Sequence, residues 1–124
     1  MKIICYDPYI SKKKTDKIEA KPVDLYTLLS TSDFVTLHAK LTPETRHMIG
    51  KEQLALMKRE AYLINTARGE IVNEAALHNA LKARKIAGAA LDVVEKEPID
   101  LQNPLITLDN VTLTPHIAAV TQNA

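Results

Sequence analysis

Short apolar runs alternate with segments of helical pattern along nearly the whole chain, and this alternation restricts the possible folds. The runs that predict strands are 2–6, 34–38, 61–65, 86–91 and 111–114. Helices are predicted at 24–30, at 51–57 and from Asn73, as its N-cap, to about residue 84. Strands that alternate with helices are typical of a parallel, doubly wound α/β sheet. With 124 residues, 46% of them hydrophobic, the chain can form one domain with a packed core.

The connecting segments are predicted from their proline and polar residues. Residues 11–22 are polar, end in Pro22 and are expected to form a loop. Pro43 lies in a turn, because proline cannot continue a strand there. Residues 117–124 begin like a helix that the end of the sequence cuts short.

Three residues able to act on a carbonyl compound follow three of the predicted strands. Arg68 follows 61–65, Asp92 follows 86–91 and His116 follows 111–114. In an open α/β sheet, ligands bind at the carboxyl ends of the strands. Arginine, acid and histidine at that edge predict a carboxylate clamp, a cofactor contact and a proton donor. Simpler interpretations stay open, since Arg68 could be a surface residue, Asp92 a turn cap and His116 a strand end.

The order of these motifs resembles a known family. The segment 63–98, followed by Thr114-Pro115-His116, is similar to the nucleotide-binding domain of the D-isomer-specific 2-hydroxyacid dehydrogenases. The segment 37–46 and the opening Asp7-Pro8-Tyr9 fit the same family, although Lys40 stands where the family most often has proline. The resemblance implies a Rossmann-like doubly wound sheet and interconversion of a D-2-hydroxy acid and its 2-keto acid with NAD.

The resemblance also implies catalytic roles. Arg68 would clamp the substrate carboxylate, and a guanidinium matches a carboxylate bidentately. His116 would be the general acid, since imidazole titrates near neutral pH. Glu97 would be its partner, because a carboxylate beside the ring favours the protonated form. Gly69, directly after the arginine, is expected to permit a tight turn.

The residues expected to contact NAD lie at the same edge. The cofactor-binding residues are predicted to be Asp7, Thr66, Ala67, Arg68 and Asp92. Asp7 would bind the adenosine ribose hydroxyls, which favours NAD over NADP, although Asp-Pro is also an ordinary turn. The resemblance implies that Asp92 accepts a hydrogen bond from the nicotinamide carboxamide. Thr66 and Ala67 would contact the cofactor mainly through their backbone.

One part of the family pattern is missing from the sequence. The three glycines, Gly50, Gly69 and Gly88, cannot form the G-x-G-x-x-G loop that holds the cofactor pyrophosphate. We therefore expect a partial NAD-binding domain over residues 1–124, lacking the first βα unit and the substrate domain. The missing strand is expected between 2–6 and 61–65. Either these two strands close up and pair directly, or another segment or chain fills the slot; filling is the favoured outcome, and it predicts a homo-oligomer.

Composition narrows the partners and the alternatives. A net charge of +1 gives no indication of nucleic acid or membrane binding, and a single cysteine, Cys5, expected as a buried thiol, fits a reducing cytoplasm. The sequence has no cysteine–histidine cluster with the spacing of metal ligands, so it predicts no metal site. The expected partner is a small 2-hydroxy or 2-keto acid, whose identity the sequence does not give. The alternatives are a catalytically silent binding or dimerisation module and a truncated remnant.

Overall fold

The computed structural model describes residues 1–9, 12–17 and 19–120. The strands are β1 (Ile4–Cys5), β2 (Lys21–Pro22), β3 (Phe34–Leu37), β4 (Tyr62–Asn65), β5 (Gly88–Leu91) and β6 (Val111–Leu113). The helices are α1 (Lys12–Lys17), α2 (Leu25–Thr31), α3 (Lys51–Leu56) and α4 (Glu74–Lys82), and 3-10 turns cover Gly69–Ile71 and Pro104–Thr107.

All paired strands run parallel, which confirms the predicted α/β class. Strands β3 to β6 form one sheet in sequence order, and β1 and β2 form a second, two-stranded sheet. In the larger sheet the carboxyl-terminal residues are in register, with Leu37 opposite Asn65, Asn65 opposite Leu91 and Leu91 opposite Leu113. The loops that follow β4, β5 and β6 therefore leave the sheet side by side.

The core lies between the larger sheet and its helices. Helix α3 packs against α2 and α4. The side chains of Leu29, Leu63, Ile71 and Ile86 are fully buried. Parallel sheets are usually covered on both faces, but along β3 only alternate residues are buried. Phe34, which lies on the other face, is 65% exposed and stacks on Tyr62 with ring centroids 5.7 Å apart.

Side-chain caps define the starts of two helices. Asp24 accepts a hydrogen bond from the Thr27 backbone N–H at 2.6 Å, and this bond holds the pKa of the Asp24 carboxyl below its ordinary value. Asn73 accepts from the Ala76 N–H at 3.1 Å, which confirms the predicted N-cap of α4. That helix ends where Arg84 adopts a left-handed conformation with φ 53°.

The interpretation of residues 11–22 as a loop was wrong. The structure has α1 and β2 there, and β2 is held by backbone bonds, since the Lys21 N–H donates to the Ile3 carbonyl at 3.1 Å and the Val23 N–H to the Cys5 carbonyl at 2.8 Å. Both residues of β2 are exposed. A two-residue strand with no buried side chain leaves no apolar pattern in the sequence.

The missed strand also misplaced the expected gap in the sheet. The gap was assigned beside 61–65, but β4 is paired on both sides, with β3 and with β5. Strands β3 and β6 are the two edges of the larger sheet. In the strand order 3-2-1-4-5-6, a strand missing beside β1 would lie against β3. Direct pairing of β1 with β4 is not found among the described residues.

Two smaller expectations also need correction. Residues 117–120 contain a turn rather than the start of a helix, and residues 121–124 lie outside the described part. Cys5 is half-buried rather than buried. Within the described ranges, every helix is too short or too polar to cross a membrane.

Candidate functional site

The loops after β4, β5 and β6 enclose a cleft of about 490 Å³ at the carboxyl edge of the larger sheet. Its lining residues are Arg68, Gly69, Glu70, Val93, Val94, Glu95, Lys96, Glu97 and His116. The structure thus brings together the three residues predicted to be catalytic, which are separated by up to 48 positions in the sequence. Asp7, Thr66, Ala67 and Asp92 are not among the lining residues.

The turn that carries Arg68 is held by the buried side chain of Asn65. Asn65 is 1% exposed, its Oδ1 accepts from the Ala67 N–H and its Nδ2 donates to the Arg68 carbonyl, both at 3.0 Å. Arg68 itself is exposed, and its Nη1 donates to the Ala67 carbonyl. The sequence analysis missed Asn65, although an asparagine directly before a turn is a known signal for such bracing.

Gly69 brings the arginine turn against the loop after β5. A Cβ at position 69 would lie 2.0 Å from the Val94 carbonyl oxygen and 2.6 Å from the Glu95 nitrogen. The glycine begins the 3-10 turn Gly69–Ile71, but it has no positive φ, so the turn alone does not require glycine. Close contact between two backbones requires glycine here.

Asp92 organises the loop that carries His116. Its Oδ1 accepts hydrogen bonds from the Thr114 hydroxyl at 2.6 Å and the Ile117 N–H at 2.8 Å, and its Oδ2 accepts from the Ala118 N–H at 2.9 Å. Asp92 is 6% exposed. The carboxylate therefore holds the loop after β6 rather than capping the turn that follows Asp92, which was the simpler interpretation. Its contact with a cofactor stays a prediction.

His116 is held in an unusual backbone conformation beside Glu97. Its φ is 58°, which is uncommon for a residue with a side chain, and its N–H donates to the Asp92 carbonyl at 2.9 Å. The ring Nδ1 lies 2.7 Å from Glu97 Oε2, and the two side chains are 49% and 36% exposed. The predicted partners are in hydrogen-bond contact at the mouth of the cleft.

From the hydrogen bonds to Asp92 we predict how the stability of the fold changes at acid pH. The Thr114 hydroxyl, followed by the Ile117 and Ala118 amides, holds the pKa of Asp92 below its ordinary value of 3.8, although burial opposes them. A carboxyl with a lowered folded-state pKa stabilises the fold above its unfolded-state pKa, and this contribution is lost as the pH falls through the folded value. Asp92→Asn should therefore flatten the decline in unfolding free energy below about pH 4.

Urea unfolding of the 124-residue chain at pH 7, 4 and 3 measures this decline. At pH 7 the variant should already be less stable, because the amide NH₂ would face one of the backbone N–H donors. Asp16 is an exposed acid in α1, and Asp16→Asn is the matched control. It should change neither the unfolding free energy at pH 7 nor its decline at acid pH. An acid decline as steep in Asp92→Asn as in the native chain would contradict the prediction.

The remaining residues predicted to bind cofactor occupy the expected strand ends. Thr66 is exposed and Ala67 half-buried directly after β4. Asp7 follows β1, where its Oδ1 accepts from the Tyr9 N–H at 2.9 Å, so the ordinary-turn interpretation also describes its geometry. In the Lys40 loop, the Lys40 carbonyl accepts from the Thr45 hydroxyl at 2.6 Å.

The sequence analysis missed three groups near the cleft. Lys96 lines it, and so does Glu95, whose Oε1 lies 2.9 Å from His47 Nε2. His47 has 40% of its side chain exposed and was given no role, since nothing in the sequence connects it with a residue 48 positions away. Across the described residues, no group of three or more metal-binding side chains could hold a metal ion.

A parallel α/β sheet with its polar side chains at the carboxyl edge is the architecture of dinucleotide-binding domains. The family model of the D-isomer specific 2-hydroxyacid dehydrogenase NAD binding domain matches residues 1–118. The chain belongs to this NAD-binding family.

Relatives and solved structures agree with this assignment. The chain is 52% identical over 124 residues to a D-3-phosphoglycerate dehydrogenase of Archaeoglobus fulgidus, covering all of this chain and 24% of the relative. It is 50% identical over 119 residues to a glyoxylate reductase of Korarchaeum cryptofilum, covering 96% of this chain and 36% of the relative.

The NAD-complexed D-isomer specific 2-hydroxyacid dehydrogenase of Lactobacillus delbrueckii ssp. bulgaricus superposes with a TM-score of 0.84 at 37% identity. The match covers 97% of this chain and 40% of that one. The chain thus spans roughly a quarter to two fifths of the proteins it matches.

Proposed function

We propose that this chain is a partial NAD-binding domain of an enzyme that interconverts a D-2-hydroxy acid and its 2-keto acid, with the substrate domain outside residues 1–124. The observation that carries the proposal is the contact of His116 Nδ1 with Glu97 Oε2 at 2.7 Å, at the cleft that Arg68 also lines. An acid–base pair and a guanidinium at one cleft are what reduction of a 2-keto acid needs from the protein.

The histidine supplies the proton. When the keto carbon becomes an alcohol carbon, its oxygen must gain a proton, and a protonated imidazole donates one near neutral pH. Glu97 contacts Nδ1, so it holds the ring in one orientation and leaves Nε2 as the nitrogen that donates the proton. In the oxidative direction the same nitrogen accepts the proton from the hydroxyl group.

The arginine binds and orients the 2-keto acid substrate. The Arg68 guanidinium can form two parallel hydrogen bonds with a carboxylate, and it keeps its charge at any working pH. Because the Asn65 side chain holds the turn before it, the backbone that carries the guanidinium is fixed. Lys96 lines the same cleft and gives it a second positive charge, beside three glutamates.

The residues at the strand ends fit NAD at this edge. Thr66 and Ala67 present accessible backbone after β4, and Asp92 Oδ2, with one hydrogen bond from Ala118, has a second lone pair for a carboxamide N–H. Asp7 would contact the ribose, and Arg68 would lie beside the cofactor as well as the substrate. When bound, NAD supplies the hydride acceptor, or as NADH the hydride donor.

A chimera tests the proposal. In it, these 124 residues replace the matching segment of the Archaeoglobus fulgidus relative, and NADH oxidation is measured with glyoxylate, pyruvate and phosphohydroxypyruvate. We expect turnover of at least one 2-keto acid. The same exchange is made in the Methanocaldococcus jannaschii relative, which is 53% identical over 125 residues. If both chimeras fold and bind NADH but turn over none of the three acids, the result would instead favour the silent binding module.

The 124-residue chain by itself should show no dehydrogenase activity and only weak NAD binding. Its three glycines cannot form the phosphate-binding loop, so the charged pyrophosphate has no cradle of backbone N–H groups. Calorimetric titration of the purified chain with NADH should give no saturation in the concentration range that saturates the chimera. Turnover of any 2-keto acid by the isolated chain would contradict this prediction.

A further inference from the structure

Two acids in the loop after β5, separated only by Lys96, bind to different parts of the molecule. Glu97 contacts the His116 ring, and its Oε1 also accepts from the Val94 N–H at 3.3 Å. The hydrogen bonds of Glu95 instead join the loop to α4 and to His47. The proton-relay model uses Glu97 and leaves Glu95 without a function.

Glu95 and Glu74 bind each other reciprocally. The Glu74 N–H, the first amide of α4, donates to Glu95 Oε1 at 3.1 Å, and the Glu95 N–H donates to Glu74 Oε2 at 2.9 Å. A carboxylate at a helix N-terminus is stabilised by the unpaired amides and the helix dipole. The other Glu74 oxygen accepts from Asn103 Nδ2 at 2.7 Å, so the Glu74 side chain is itself held in place.

His47 ties the same carboxylate to the arginine turn. Its ring Nε2 lies 2.9 Å from Glu95 Oε1, and its backbone N–H donates to the Glu70 carbonyl at 2.8 Å, two residues after Arg68. The left-handed conformation of His47, with φ 54°, is one that a non-glycine residue adopts only where its surroundings enforce it. Glu95 therefore connects the loop after β5 with both α4 and the segment that follows Arg68.

We propose that Glu95 is a positioning residue: its carboxylate, bound by His47 and by the first amide of α4, determines where Glu97 meets His116. The inference rests on the proposed proton relay. Because one residue separates the two acids, and the Gly69 contact holds Val94 on the other side, the backbone between Val94 and Glu97 has little freedom while Glu95 stays bound. When Glu95 is released, the loop can move and the Glu97–His116 contact is lost in part of the molecules.

A pH titration of the His116 ring signal by NMR, on the 124-residue chain, measures this effect. Removal of the partner carboxylate by Glu97→Gln should shift the midpoint of that titration. Glu95→Ala, which leaves Glu97 intact, should reproduce at least half of this shift. Glu95→Gln keeps an acceptor oxygen for His47 and Glu74 and should restore nearly the native midpoint, whereas a purely electrostatic role would make it resemble the alanine variant.

His47→Asn keeps the proposal testable if Glu95→Ala does not fold. His47 is exposed, asparagine tolerates its left-handed backbone, and the shorter side chain does not reach Glu95, so a smaller shift in the same direction is expected. Glu60→Ala, an exposed acid before β4, is the control and should change nothing.

A native midpoint in Glu95→Ala and His47→Asn, beside a shifted one in Glu97→Gln, would overturn the inference and leave the proton relay intact. If Glu97→Gln leaves the midpoint of the His116 titration unchanged, both the inference about Glu95 and the proton relay would be overturned.

Discussion

Replacement of His116 by asparagine in the chimera is expected to lower kcat for 2-keto acid reduction by about 10²–10⁴-fold, the range that a positioned general acid contributes. Asparagine is the appropriate replacement because it tolerates the left-handed backbone at this position. The loss then reports the missing ring rather than a distorted loop. Steady-state kinetics with NADH at neutral pH measures the effect, and KM for NADH should change little.

A second substitution separates the role of Glu97 from that of the ring. In Glu97→Gln the protonated imidazole has lost its carboxylate partner, so the reduction rate should decline at a lower pH than in the unsubstituted chimera. His78→Asn, in α4 and outside the cleft, is the control for histidine loss. An unchanged pH profile in Glu97→Gln would remove Glu97 from its partner role, and near-native turnover in His116→Asn would remove the general acid.

Substitution of Gly69 by alanine should damage both stability and catalysis. The added methyl group would lie 2.0 Å from the Val94 carbonyl oxygen, well inside van der Waals contact, so one of the two backbones must move. Overpacking of this kind costs about 1–3 kcal/mol of unfolding free energy. Movement of the arginine turn also separates Arg68 from Glu97 and His116, so kcat/KM of the chimera should fall more than its stability predicts.

Gly50 provides a matched control for this prediction. A Cβ at position 50 would have its nearest neighbour, Gln53 Oε1, at 3.4 Å, which is an ordinary contact. Gly50 is also the N-cap of α3, where alanine is less favourable than glycine. Gly50→Ala should therefore lower the urea midpoint less than Gly69→Ala does and leave the kinetics of the chimera nearly native. Equal effects of the two alanine substitutions would show that close approach of the loops is not the reason for Gly69.

The sequence predicts those elements of the fold that have a buried pattern. Strands β3 to β6 were located from apolar runs, because these residues bury their side chains fully or, in β6, in part. The start of α4 was located from Asn73, which satisfies a free helix amide. Strand β2 was missed because both of its residues are exposed and its bonds are made by the backbone. This single omission also displaced the expected gap from β3 to β4.

For the site, the sequence predicts which residues are candidates for catalysis but not the contacts that hold them in place. Arg68 and His116 were recognisable by their type and their place after strands, and Glu97 by the family resemblance. The structure brings the three residues to one cleft. The contacts that hold them, such as His47 with Glu95 across 48 positions, depend on side chains that meet only after the sheet has formed. The reason for Gly69 was likewise out of reach, because the Val94 backbone above it is 25 positions away.

The approach of Val94 to Gly69 has a consequence for how this domain can evolve. Since the two loops share one contact surface with no space between them, a mutation at position 69 is tolerated only in a background where residues 94–95 have already shifted. Substitutions in the two loops should thus show strong epistasis. A combinatorial library covering both loops would detect it as pairs of substitutions that keep the protein folded although each single substitution does not.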